Sequence, residues 1–107
     1  TLVGLDDLES ELAASGLSGQ ERVFNLSWHD WLNLDSLMLV SRAITLSAIA
    51  RENSRGAHFR DDFPEPGDLA TSAYTVMNLK DGKMQVKTRP VDFVRVRPGE
   101  SLIDDAA

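Results

Sequence analysis

The 107-residue sequence predicts a mainly α fold with a small β part, in which a partial helical bundle of one short and one long helix precedes a β-hairpin and an extended C-terminal strand. Three observations predict this. Apolar residues recur at helical spacing in the first half, a polar stretch with prolines follows, and two alternating runs flank an Asp81-Gly82 pair. We expect one domain, with a helical part over residues 1–66 and a hairpin and tail over 71–99.

The first helix is predicted over residues 4–15. Leu5, Leu8 and Leu12 repeat at helical spacing, and Gly16 is placed to end the helix. Three large apolar residues cannot stabilise an isolated helix of this length, so it must pack on another element. The pattern reads as the last part of a longer helix. The chain begins at Thr1 without an initiator methionine, and we expect it to be a piece of a longer protein.

The long helix is predicted from about Asp30 to Asn53, a stretch without Gly or Pro. Ser27 followed by Asp30 resembles a capping box that starts it. A broad apolar stripe runs along one side of this helix, as is typical of a bundle core. It includes Leu34, Leu37, Met38, Ile44 and Ala48. Two tryptophans at its start, Trp28 and Trp31, indicate core or interdomain packing more often than an aromatic ligand patch.

A densely polar loop follows the long helix, and Gly56 is expected to end that helix. Arg55, His58 and Arg60 lie within six residues, beside two aspartates. Such a cluster either satisfies itself through ion pairs and backbone hydrogen bonds, docks on a partner or binds an anion. The structural and docking interpretations are the more common for an exposed loop that carries both charge signs.

The hairpin prediction rests on Asp81-Gly82, because both residues tolerate the positive φ of a two-residue hairpin turn. Closing the hairpin there places Lys80 opposite Lys83 and Val76 opposite Lys87. One face then collects Met77, Leu79, Met84 and Val86, and the other collects Asn78, Lys80, Lys83, Gln85 and Lys87. A shift of the strand register by one residue would mix the apolar and polar residues on both faces. The run from Val91 to Arg97 is predicted as the third extended element.

Charge and composition exclude several classes of function. The formal net charge of −6 opposes a nucleic-acid-binding role, although residues 71–99 carry six Lys and Arg against two Asp. That basic segment is a solvated strand face, a surface for an acidic partner or, least readily, a nucleic-acid patch. The chain has no cysteine and only two histidines, which are far apart, so no metal site is predicted. We find neither a catalytic constellation nor a Gly-rich phosphate loop, and no direct membrane insertion is expected.

One stretch carries a resemblance to a known family. The run Ala48-Ile-Ala-Arg-Glu-Asn-Ser-Arg-Gly-Ala-His-Phe-Arg-Asp-Asp-Phe-Pro64 resembles the A-x-x-R-x-E-S-R-G-A-H-x-R-x-D-F-P pattern in the C-terminal domain of succinate dehydrogenase and fumarate reductase flavoprotein subunits. Phe24-Asn25 matches the family's F-N before its long helix, and the terminal hairpin and tail are also similar. Asn53 departs from the pattern, because the family usually has Glu there and this chain has Glu52 one place earlier.

The resemblance implies a non-catalytic C-terminal domain of an FAD-dependent oxidoreductase. FAD would belong to the parent protein and not to this fragment, because the family's flavin-binding and catalytic residues lie in domains outside it. Four residues that match the family's pattern are assigned to docking on the flavin and capping domains: Ser54, Arg55, His58 and Arg60. Partners implied are the remainder of the flavoprotein and an iron-sulfur subunit, in a cytoplasmic setting with the membrane reached through partner subunits.

Two alternatives to such a domain stay open. In the first, the chain is a stand-alone helical module that dimerises through the stripe around Leu37, Ile44 and Ala48. In the second, it is the corresponding domain of a related flavoenzyme such as L-aspartate oxidase. Since the family's C-terminal domain is a three-helix bundle and this chain contains only part of one, we also expect the fragment to form homodimers through the missing bundle surface.

Overall fold

The computed structural model describes residues 1–17, 19 and 21–103, and it confirms the mainly α fold with a small β part. Helix α1 spans Leu2–Ser15 and helix α2 spans Leu26–Ala50. A short 3-10 helix, Leu69–Thr71, precedes strands β1, Ala73–Lys80, and β2, Lys83–Pro90. The chain divides into two compact units, Thr1–Ala48 and Ile49–Ala107, which are described separately.

In the first unit, polar contacts tie α1 to α2. The guanidinium of Arg42 donates from Nε to Glu9 Oε1 at 3.1 Å and from Nη2 to Glu9 Oε2 at 2.8 Å and Asp6 Oδ1 at 2.5 Å. These carboxylates raise the pKa of Arg42 further above its ordinary value, chiefly through hydrogen bonds. Trp31 adds a hydrogen bond from Nε1 to the Leu12 carbonyl at 3.2 Å. The short helix is therefore joined to the long one, and the contacts that join them are these polar side chains.

Both ends of α2 lie earlier in the chain than predicted. The helix begins at Leu26 because the Asn25 side chain accepts a hydrogen bond from the Trp28 amide at 3.0 Å, which is the contact of an N-cap residue. The prediction that Ser27 and Asp30 start the helix is wrong for this reason. It ends at Ala50, not near Asn53, and Gly56 lies beyond its end.

The hairpin has the predicted register in every pair. Lys80 lies opposite Lys83 and Val76 opposite Lys87 in an antiparallel ladder that continues to Ala73 and Pro90. Asp81 and Gly82 have φ of 51° and 72°, the left-handed values that a type I′ turn requires at both central positions. On the apolar face Met77, Met84 and Val86 are half-buried, and Leu79 is exposed.

The predicted C-terminal strand is not formed. Within the described residues, β1 and β2 are the only strands, and residues 91–97 pair with neither. The Val91 amide adds one more bond beyond the ladder, donating to the Ser72 carbonyl at 2.9 Å, and a turn closes between Arg97 and Glu100. The β-branched residues of this run favour an extended backbone, but a strand also needs a partner edge, and a local pattern cannot supply one.

Across the part of the chain that the structure describes, no apolar side chain is buried. Large apolar residues of α2 are instead substantially exposed, including Leu37 at 58% and Ile44 at 64%. By length and composition alone, α2 could also cross a membrane, because an 18-residue window of this helix has a mean hydropathy of 1.3. Core helices of soluble proteins share these properties, and the ion-paired Arg42 in α2 suits a helix that packs against protein.

Candidate functional site

The candidate site is the loop that follows α2, residues 51–72, called here the arginine loop. It contains all four residues predicted to dock on other domains: Ser54, Arg55, His58 and Arg60. The structure brings them together within the second unit. Three of the four side chains, those of Ser54, Arg55 and Arg60, bond within this unit, and docking on other domains stays a prediction.

Arg60 satisfies the end of α2. Its Nη1 donates to the Ile49 carbonyl at 2.6 Å and to the Arg51 carbonyl at 2.9 Å. The last carbonyls of a helix have no partner within the helix and carry its partial negative charge, so a guanidinium placed there is favourable. The end of α2 at Ala50 follows from this contact and does not depend on a glycine.

The same guanidinium also forms a two-pronged ion pair. Nε and Nη2 of Arg60 donate to Asp62 Oδ1 at 2.8 Å and Oδ2 at 2.5 Å, and its Cζ lies 4.6 Å from the centre of the Phe63 ring. The hydrogen bond from Arg60 holds the pKa of the Asp62 carboxyl below its ordinary value, and the pKa of Arg60 is raised in turn. Arg60 is thereby fixed between the helix end and the following turn.

Ser54 closes the loop on itself. Its hydroxyl donates to the Phe63 carbonyl at 2.7 Å and accepts from the Arg60 amide at 2.9 Å, and its amide donates to the Glu65 carbonyl at 2.9 Å. A hydroxyl both donates and accepts, so this one side chain joins two points of the loop. The residues from 54 to 65 are thus held in one compact turn.

Arg55 anchors the loop to the start of the hairpin. Its Nε donates to the Pro66 carbonyl at 2.5 Å, Nη2 to the Asp68 carbonyl at 3.0 Å and Nη1 to Ser72 Oγ at 2.8 Å. Asp68 in turn caps the short 3-10 helix through the Ala70 amide at 2.9 Å. Sequence reasoning missed Asp68 and Ser72; an aspartate at a helix N-cap was the available signal for the first.

Gly56 lies in a tight turn that pairs Arg55 with His58. Their backbones exchange two hydrogen bonds, of 2.9 and 3.2 Å. Gly56 takes a φ of 58°, as the first central residue of a type II′ turn does. The expected role of Gly56 in ending α2 is therefore replaced by a role in this turn.

His58 differs from the other three predicted residues. The residue is half-buried, and its Nε2 is shielded from solvent and has no hydrogen-bond partner, the only such side-chain nitrogen or oxygen among the described residues. A buried polar atom without a partner is costly, so this nitrogen is the unsatisfied group of the loop.

Asn53, which departs from the family pattern, also bonds locally. Its Oδ1 accepts from Arg51 Nη2 at 3.1 Å. The Asn53 amide oxygen thus accepts the arginine hydrogen bond that a Glu carboxylate could accept at this position, but it carries no negative charge. Glu52, one place earlier, is exposed and adds a weak electrostatic contribution that raises the pKa of Arg60.

The arrangement suits fixing a backbone shape more than reacting with a substrate. The side-chain donors of Arg55 and Arg60 face carbonyls, a hydroxyl and Asp62. In residues 1–17, 19 and 21–103, no group of three or more His, Asp or Glu is placed to hold a metal ion. Chemically, the loop offers an ordered surface with one unsatisfied imidazole.

Known proteins that this chain resembles in sequence include several flavoprotein subunits. The chain is 37% identical over 96 residues to the fumarate reductase flavoprotein subunit of Mycobacterium tuberculosis, covering 89% of this chain and 16% of that protein. It is 39% identical over 89 residues to the succinate dehydrogenase flavoprotein subunit of Coxiella burnetii, and 30% identical over 95 residues to the 8-methylmenaquinol:fumarate reductase flavoprotein subunit of Wolinella succinogenes. Those alignments cover 83% and 84% of this chain, and 15% and 16% of the relatives.

These relatives define a class, the flavoprotein subunits of succinate dehydrogenases and fumarate reductases. The family model described as the fumarate reductase flavoprotein C-terminal domain matches residues 1–102, and the chain belongs to that family. No solved structure gives a significant match. The chain spans about one sixth of the length of the relatives it matches.

Proposed function

We propose that this chain is the non-catalytic C-terminal domain of an FAD-dependent oxidoreductase of the succinate dehydrogenase and fumarate reductase type, and that it packs against the flavin and capping domains. The single observation that carries the proposal is the absence of any buried apolar side chain in the described residues. A chain of this size ordinarily buries about two thirds of its unfolded surface and forms a core. Apolar faces left open here are suited to burial against the rest of a larger protein.

The arginine loop supports the docking role in two ways. Ser54, Arg55 and Arg60 give the loop its shape through the contacts described above, so their part in docking is to position its surface. We assign the direct contact to His58, which is half-buried and whose Nε2 has no partner among the described residues. Phe24 adds an aromatic ring that is 94% exposed and is held at a φ of 52°, a left-handed value that is costly for this residue type.

The residues present do not fit a flavin site. Binding the pyrophosphate of FAD requires free amide or guanidinium donors, and those of Arg55 and Arg60 are already bonded within the second unit. The sequence contains no Gly-rich phosphate loop either. We therefore assign FAD to other domains of the parent protein. Its further partners would include an iron-sulfur subunit, and its location would be cytoplasmic, with membrane association through such subunits.

The first test is the coding sequence upstream of Thr1. A Gly-x-Gly-x-x-Gly flavin-binding segment in the same reading frame supports the proposal, whereas a start codon adjacent to Thr1 supports a stand-alone dimerisation module. Purified alone, the chain should be colourless, and saturable FAD binding by it would count against the proposal.

The second test concerns His58 in the full-length protein. We expect His58→Ala to lower the thermal midpoint and the retention of flavin, while turnover per bound flavin stays unchanged, because the imidazole contacts a neighbouring domain and not the substrate. His29→Ala, which changes an exposed histidine of the first unit, is the matched control. Loss of turnover by His58→Ala with full flavin content and unchanged stability would indicate a catalytic role instead.

A further inference from the structure

One face of the hairpin carries all of its positive charge. The antiparallel register places Lys80, Lys83, Lys87 and Arg89 on the same side of the hairpin. Tyr74, opposite Arg89, and Val76, opposite Lys87, lie on that side too. All six are exposed, Tyr74 at 51% and Val76 at 39%. We call this surface the basic face. Thr75, Met77, Met84 and Val86, all half-buried, occupy the opposite side.

The charges of the basic face have no counterpart on the two strands, and the only acidic residue of the hairpin is Asp81 in the turn. Neither strand contains an Asp or Glu, and none of its four cations forms an ion pair with another described residue. Lys80 and Lys83 lie directly opposite each other, an arrangement that destabilises a hairpin. Arg89 instead stacks over Tyr74, with its Cζ 5.4 Å from the ring centre. A chain of net charge −6 therefore concentrates unpaired positive charge on one small surface.

We propose that the basic face binds an acidic surface on a second, separate protein subunit. Its composition is that of a protein interface, with the apolar surface of Tyr74 and Val76 bordered by charged side chains. Exposed charges of one sign chiefly accelerate encounter between molecules that diffuse separately, and docking within a single polypeptide gains little from this. The inference rests on the proposed function for the existence of a larger assembly, and it adds which surface contacts which kind of partner.

Nucleic acid is a poorer occupant of the basic face. Four cations neutralise few phosphates, and the remaining surface of the chain is acidic and repels a polyanion. Aromatic stacking on bases also needs a free ring, whereas Tyr74 is already covered on one side by Arg89. Carboxylates, which pair individually with lysines at an apolar border, match the face better.

The experiment uses the full-length flavoprotein purified together with its other subunits. Carbodiimide treatment joins a lysine amine directly to a carboxylate, with no spacer, and peptide mass spectrometry then identifies the pairs. We expect cross-links from Lys80, Lys83 or Lys87 to Asp or Glu of a different subunit. Links only within the flavoprotein, or only to acidic residues of a second copy of it, would overturn the proposal.

Charge variants supply the quantitative arm. Lys83→Glu with Lys87→Glu should weaken binding of the second subunit by at least about tenfold at low salt, and the difference should shrink as salt rises. Arg22→Glu with Arg95→Glu makes the same change in net charge elsewhere and should leave binding unchanged. Lys83→Arg with Lys87→Arg should keep binding but lose the cross-links from those two positions.

Failure of this inference can be distinguished from failure of the proposed function. Flavin absorbance and turnover of the full-length protein report the proposed function and do not depend on the basic face. A flavin-loaded, active protein whose subunit binding is the same in the Glu variant and the wild type would contradict the inference alone. A 20-base-pair DNA duplex, used as a probe, that binds the wild type but not the Glu variant would show that nucleic acid is the occupant instead.

Discussion

At the scale of single residues, two arginines determine the shape of the loop after α2. A guanidinium carries five donors in one plane, so Arg60 bonds two helix-end carbonyls and a carboxylate at once, and Arg55 bonds three separate points. Lysine offers a single ammonium on a flexible stem and cannot reproduce these contacts. Arginine is required at both positions for this geometry, and not only a positive charge.

Asp62 should make the stability of the arginine loop dependent on pH. Its pKa is lowered by Arg60, so the ion pair contributes fully above the ordinary carboxyl pKa near 3.8 and is lost as the pH falls through the lowered value. We expect Asp62→Asn to lower the thermal midpoint at neutral pH, with a difference from the wild type that shrinks below pH 4. Asp61→Asn, outside the ion pair, is the control. A constant difference between wild type and Asp62→Asn across this range would contradict the pairing.

Ser54 should be sensitive to loss of its hydroxyl. Ser54→Ala removes a bond donated to the Phe63 carbonyl and one accepted from the Arg60 amide, which corresponds to about 1–3 kcal/mol. Faster amide hydrogen exchange over residues 54–65 is the expected observation. Ser10→Ala is the matched control, since that exposed hydroxyl bonds only within α1 and alanine favours a helix. Unchanged exchange in Ser54→Ala would show that the hydroxyl does not hold the loop.

The sequence predicted which residues gather in the loop but not what they contact. Ser54, Arg55 and Arg60 bond carbonyls of Phe63, Pro66 and Ile49, among others, and docking of these residues on other domains stays a prediction. Backbone acceptors leave no trace in a residue pattern, because every residue has a carbonyl. His58 was included for its match to the family, and the structure alone distinguishes its unsatisfied Nε2.

At the scale of elements, predictability follows the range of the interactions involved. The hairpin register was predictable residue by residue because the turn and the alternating pattern are both local. The start of α2 was misplaced because Ser27 was taken as the cap, whereas the side chain of Asn25 accepts the hydrogen bond from the Trp28 amide. The third strand was wrong because a strand depends on a partner that is distant in sequence.

The turn of the hairpin should tolerate substitution unequally. Gly82 has a φ of 72°, so Gly82→Ala forces a side chain into the left-handed region and should destabilise the hairpin by about 1–2 kcal/mol. Asp81→Asn should be neutral, since asparagine accepts the same φ. Gly4→Ala is the contrasting control, because within α1 it should stabilise the helix by about 1 kcal/mol. Amide exchange of β1 and β2 measures the effect, and equal protection in Gly82→Ala and wild type would contradict the turn assignment.

At the scale of the whole molecule, the feature to explain is a folded chain whose described residues include no buried apolar side chain. The ion pairs of Arg42 and the ladder of the hairpin define local structure, but exposed ion pairs and a two-stranded sheet contribute little to stability alone. Burial against other protein is therefore the principal source of stability that the proposed function requires. The membership of a C-terminal domain family agrees with this requirement.

The exposed stripe of α2 should make the isolated chain self-associate. Leu37 lines a shallow apolar groove with Leu8, Leu12 and Leu34 of the first unit, and Ile44 is 64% exposed on the same helix. Without the other domains, a second copy is the nearest apolar surface available, so sedimentation should show a dimer or larger species. Leu37→Lys with Ile44→Lys should yield a monomer, because paired lysines at the contact repel and must be desolvated.

The same pair of substitutions should act in the opposite sense in the full-length protein. There the stripe is expected to be covered by another domain, so Leu37→Lys with Ile44→Lys should lower the thermal midpoint and the yield of flavin-loaded protein. Leu102→Lys with Ile103→Lys, at 69% and 80% exposed positions near the end of the described chain, is the matched control. If the stripe is a protein contact, only the first pair has a large effect. Two results together would show that the stripe contacts water in both settings. These are a monomeric wild-type chain when isolated, and a full-length Leu37→Lys, Ile44→Lys variant with unchanged thermal midpoint and flavin content.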